Sequence, residues 1–206
     1  MDGTYVKFSI LEDYINTLNG VFQKCCQTQD DISASYNSVT LLWRDKISTL
    51  TGQGLNEVGN TVMNMHDALS RVLQILNTRY EHLSQGYAER SWNASFSPCK
   101  FQVKIKLEGN MDTDTINGTT VEGIKSFERA LDIYINDTVS NVKSIRNAHD
   151  AVRRGWEDDQ YKCVDDKIND FVSTMNKQLN ALQQLQEWIA VRRKQFEEAL
   201  DITVKD

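Results

Sequence analysis

The sequence predicts an all-α protein: two tandem helix-turn-helix hairpins forming a four-helix bundle, with a small β excursion between the hairpins. Three observations carry that prediction. A single proline, Pro98, stands in 206 residues, and proline is the strongest breaker of helices. Apolar residues step by three and four through four long stretches, the spacing of one helix face. Finally, the chain matches itself without a gap at a shift of 113 residues, carrying Trp43 onto Trp156, Leu11 onto Ile124, Leu18 onto Leu131, Val39 onto Val152 and Leu55 onto Ile168. Few matched residues are identical, so a physical pattern repeats rather than the letters. Such a repeat governs the fold before any local propensity does.

The first helix is predicted from about Ile10 to Leu42, with Leu11, Tyr14, Leu18, Val21, Cys25, Ile32, Tyr36 and Val39 on one face. Ser9-Ile-Leu-Glu12 reads as its capping box, a serine oxygen taking a free amide while the glutamate reaches back. The second runs from Leu55 through Val58, Val62, Leu69, Val72 and Leu76 to Tyr87. Its opening, Thr51-Gly-Gln-Gly54, is glycine-rich and predicts a loose first turn. Between the halves Phe101, Val103, Ile105 and Leu107 alternate with polar residues, the period of a strand. A strand needs a partner, and Thr4 to Phe8 is the best one in the chain. Thr119-Thr-Val-Glu122 opens the third helix with another capping box. The fourth carries Ile168, Phe171, Met175, Leu179, Leu182, Leu185, Ile189 and Phe196 on its apolar face. The chain thus divides into a hairpin over 1–90, a linker with a short strand over 91–118 and a second hairpin over 119–206, packed as one compact bundle.

Composition sets limits on function. The formal charge of −6 lacks the basic face that nucleic-acid binders carry, and no stretch approaches the ~18 apolar residues of a membrane span. The N-terminus lacks the basic start and apolar run of a cleavable secretory signal. Cys25, Cys26, Cys99 and Cys163 form no CxxC pair, and His66, His82 and His149 are scattered, so buried or half-buried thiols are expected rather than a metal site. His66 falls on the apolar stripe of the second helix, where a core histidine is expected. Asp165-Asp166 and Asp158-Asp159 are neighbours on a helix, which point to different faces. No HExxH, phosphate-binding glycine loop or GxSxG occurs. The expectation is a protein without catalytic residues, cofactor or metal.

Each half turns on a tryptophan, in Leu42-Trp43-Arg44-Asp45-Lys46 and in Gly155-Trp156-Glu157-Asp158-Asp159-Gln160-Tyr161. A long helix ending in tryptophan, one spacer and a small or acidic residue, then a second long helix, resembles the WXG100 (ESAT-6-like) superfamily. That resemblance covers the chain as two tandem copies outside residues 91–118. It implies small helical hairpins of Gram-positive bacteria and mycobacteria, exported by type VII secretion by a route independent of signal peptides. The motif positions are Trp43, Asp45, Trp156 and Asp158, with aspartate where the family often has glycine. The family's export signal, a tyrosine with an acid four positions on, is not matched: Tyr80 precedes Ser84, Tyr87 precedes Ser91 and Phe196 precedes Leu200. The resemblance implies a cytoplasmic protein before export, then secreted or at the cell surface. Its partner would be a protein: a secretion effector, the secretion machinery or another WXG100-like chain. The tandem copy would let a monomer act as its own pseudo-dimer. A structural or adaptor bundle unrelated to secretion is the alternative. Large aromatics at helix corners also plug bundle ends, and acids in a first turn favour a helix N-terminus.

Overall fold

A computed structural model describes residues 8–84, 118–154 and 159–203 of the chain. Among them the elements are α1 (Phe8–Val39), α2 (Lys46–Ser84), α3 (Gly118–Arg153) and α4 (Asp159–Thr203). The molecule is all-helical there, its helices packed on one another. The expected strand at Phe101 to Leu107 lies outside the described residues, as do Thr4 to Lys7 of its expected partner. Phe8 is helical.

Most of a helix's stability in a protein comes from packing its apolar face, so what holds these four is the face each buries. Contacts close a ring: α1 packs on α3 and α2, and α4 on α3 and α2, with α1 against α3 the most extensive. Leu11, Ile15, Leu18, Ile32, Leu55, Leu76, Ile124, Phe127, Leu131, Ile145, Val164 and Ile189 sit at the centre, each at most 1% exposed. Each such side chain contributes ~1.5–3 kcal/mol by leaving water.

The pairing across the halves is antiparallel. Tyr14, near the start of α1, meets His149 near the end of α3, their rings 5.9 Å apart. At the other end of the same pair Tyr36 of α1 meets Phe127 of α3 edge-on at 5.8 Å. The shift of 113 residues turns one of these contacts into the other, carrying Tyr14 onto Phe127 and Tyr36 onto His149. The repeat seen in the letters therefore recurs as a repeat of contacts. Between the two ends lies a polar layer. Gln29, fully buried, accepts the Tyr134 hydroxyl, and Asn141 Nδ2 donates to Cys25 Sγ at 3.4 Å.

Two expectations about element ends are corrected. The first helix is already helical at Phe8, so Ser9 lies inside it rather than at its cap. The second begins at Lys46, so Thr51 to Gly54 is interior helix and not a loose opening. Gly54 leaves space: a Cβ on it would stand 2.5 Å from Leu185 Cδ1, so its missing side chain makes room for the Leu185 side chain of α4. The third starts at Gly118, one residue before the expected Thr119, a difference within the ambiguity of helix ends.

Candidate functional site: the two helical corners

The α1–α2 corner is built on Trp43. Its amide donates to Val39 O at 2.8 Å, closing α1, and its carbonyl accepts Ser48 Oγ at 3.0 Å. The indole is 2% exposed, and its Nε1 has no hydrogen-bond partner among the described residues. Asp45, half-buried, does two things. Its Oδ1 accepts the Ser48 amide at 2.9 Å, the cap of α2, and its Oδ2 accepts Arg192 Nε of α4 at 2.7 Å. Arg192 in turn lies 4.5 Å above the Phe196 ring. Tyr36 Oη donates to Ser48 O at 2.7 Å, which ties the start of α2 back to α1. The corner is tight, contrary to the looseness expected of it.

At the second corner, Trp156 and Asp158 lie outside the described residues. What the structure does place beside it is a cluster that the sequence pattern did not single out. His149 of α3 is 3% exposed. Its Nε2 stands 2.8 Å from Asp165 Oδ1 and 3.1 Å from Tyr161 Oη, and its Nδ1 3.1 Å from Tyr14 Oη. The Tyr161 ring stacks on the imidazole at 5.3 Å and 7°. The hydrogen bond from His149 holds the Asp165 carboxyl below the usual carboxylate range. Ionised, it accepts only, so it fixes a proton on Nε2; in the neutral tautomer this selects, Nδ1 accepts from Tyr14. Burial pushes the Tyr161 hydroxyl up to about 12, with the Asp165 charge adding to it, and burial raises Tyr14 as well. Both phenols therefore stay protonated at neutral pH, and the Tyr161 hydroxyl donates to Asp165 Oδ1 at 3.4 Å rather than to the protonated Nε2. With both ring nitrogens occupied, the imidazole ties α1, α3 and α4 together.

The same shift of 113 residues would have found this cluster. It carries Tyr36 onto His149, Ser48 onto Tyr161 and Gly52 onto Asp165. The Tyr36–Ser48 bond at one end and the His149–Tyr161 contact at the other are thus the same contact, made with different chemistry. Asp165 is half-buried and Asp166 exposed, as neighbouring helical residues should be.

No family model matches the chain, and no curated protein or solved structure does. Among the described residues no group of three His, Cys, Asp or Glu could hold a metal ion. No described helix is long and apolar enough to cross a membrane. Cys25 is a buried thiol and Cys163 an exposed one. Cys26 is disulfide-bonded, which corrects the reading of every cysteine as a thiol. The side chain of His66 lies outside the described residues. Arg192 and Arg193 are ion-pair partners, Arg193 Nε meeting Glu128 Oε2 at 2.7 Å.

Proposed function

We propose that this chain is a non-enzymatic, type VII secretion-associated helical protein, a tandem of two WXG100-like hairpins closed into one four-helix bundle. It is secreted itself or escorts a secreted effector, and it works by packing helix against helix. The observation that carries this reading is the antiparallel contact between halves that repeats under the 113-residue shift. That is the geometry expected when two hairpins hide their apolar stripes against each other in place of a separate dimer. The polar closure of His149 supports a binding role over a catalytic one.

Export is the test. The chain is expressed in a Gram-positive host with and without its secretion ATPase, and the culture supernatant is assayed. ATPase-dependent appearance of the protein, or of an effector that co-purifies with it, is expected. Equal amounts in both strains with no co-purifying effector would overturn the reading. A second reading, a structural or adaptor bundle with no link to secretion, is favoured by the burial of Trp43. A tryptophan recognised by an export machine needs an exposed face.

A further inference from the structure

On the α2–α4 pair, Lys46, Ile47 and Leu50 of α2 face Trp188, Val191 and Arg192 of α4 across a groove of about 410 Å³. Trp188 is 48% exposed and Val191 56%. With Gln195 these α4 residues fall at helical spacings of three and four, one stripe about two turns or ~10 Å long. An exposed tryptophan beside an exposed valine in a concave site is what protein-binding centres are made of.

Charge says what fits there. Among the described residues both charged side chains lining the groove are basic, in a chain whose net charge is −6. Arg192 is spent on Asp45, whereas Lys46 is exposed and makes no ion pair among the described residues. It also opens α2, where the helix dipole adds positive potential. The other half offers no equivalent: the 113-residue shift puts Asp159, Gln160 and Cys163 where Lys46, Ile47 and Leu50 stand. A second copy of this chain fits poorly. Ile133, the exposed apolar residue of α3 with acids beside it, has those acids engaged, Asp137 with Lys24 at 3.5 Å and Asp132 with Gln186 at 3.4 Å.

We propose that this groove docks the apolar face of an acidic amphipathic helix of another protein, whose carboxylate pairs with Lys46. The proposal rests on the reading of the chain as a helix-packing partner, and deepens it by naming the surface and the partner's chemistry.

The test uses the full chain and two dye-labelled helical peptides with leucines at the same i, i+3, i+4, i+7 positions, one flanked by glutamates and its twin by lysines. Fluorescence anisotropy at low salt should give the acidic peptide at least about tenfold tighter binding, narrowing as salt screens the pair. Trp188→Lys should weaken it about tenfold, and Lys46→Glu should reverse the preference between the peptides. Both positions are exposed, and thermal melts should confirm that the variants stay folded. Equal binding of the two peptides, or binding indifferent to Trp188→Lys, would overturn the proposal. So would concentration-dependent self-association that Trp188→Lys abolishes, which would give the groove to a second copy. Because this assay needs no secretion system, its failure leaves the export result standing, and the reverse holds too.

Discussion

Trp43 puts a large apolar body at a corner and buries its indole N–H without a partner among the described residues. Removing the body should cost ~3–5 kcal/mol, so Trp43→Ala should unfold at clearly lower urea concentration than wild type. Trp43→Phe removes the unsatisfied donor together with part of the ring, and should cost much less. If the two variants are equally destabilised, the packing account of Trp43 fails. The cysteines make a second contrast at this scale. Burial pushes the Cys25 thiol up to about 11, with the Asn141 hydrogen bond opposing it, while Cys163 is exposed. Thiolate is the reactive form, so a maleimide followed by peptide mapping should label Cys163 in the folded protein and Cys25 only after denaturation. Labelling of Cys25 at the rate of Cys163 would contradict its burial.

Helices were the legible part of the sequence. The stripe from Leu11 to Val39 and the one from Ile168 to Phe196 are buried nearly residue for residue, because a spacing of three and four can serve only one face. Ends were less legible. Glycine is a poor helix former, and Thr51 to Gly54 therefore read as a boundary, yet tertiary packing overrides a propensity of ~1 kcal/mol. Nothing local announces that Leu185 needs the space above Gly54, or that Arg192 will reach Asp45. Pairs so far apart in the chain exist only once the helices have packed. Gly20 in α1 and Gly54 in α2 separate these effects. Gly20 is exposed with nothing within 4 Å of an added Cβ, so Gly20→Ala should stabilise by ~0.5–1 kcal/mol. Gly54→Ala gains the same propensity but must displace Leu185, and overpacking costs ~1–3 kcal/mol. Its urea midpoint should fall, and a rise matching that of Gly20→Ala would refute the tight packing of Leu185 over Gly54.

Taken whole, the molecule has two ends that match in geometry and differ in chemistry. One joins Tyr36, Phe127 and Ser48, with no ionised partner in that set; the other joins His149, Tyr14, Tyr161 and Asp165. Acid should therefore loosen the molecule from the His149 end. The Asp165 carboxyl titrates lower in the folded chain than in the unfolded one. Its stabilising contribution is complete above the unfolded value near ~4 and is lost as pH falls through the folded value. Asp165→Asn should lower stability at neutral pH and flatten the acid limb of stability against pH. Urea midpoints from pH 7 down to about 2 would reveal it, and parallel curves for variant and wild type would contradict it.

A symmetric pair of separate chains must make every change twice, once on each copy, and must offer each surface in duplicate. Here the two partners in the antiparallel contact lie on one chain, so Tyr36 and His149 can differ, and Lys46 can stand where its counterpart is Asp159. One consequence is polarity. A ligand helix meeting such a molecule finds a single seat and a single direction, and the complex holds one of each. Sedimentation equilibrium of the chain with the acidic peptide should accordingly stop at one peptide for each set of four helices, where a true twofold pair of hairpins would take two.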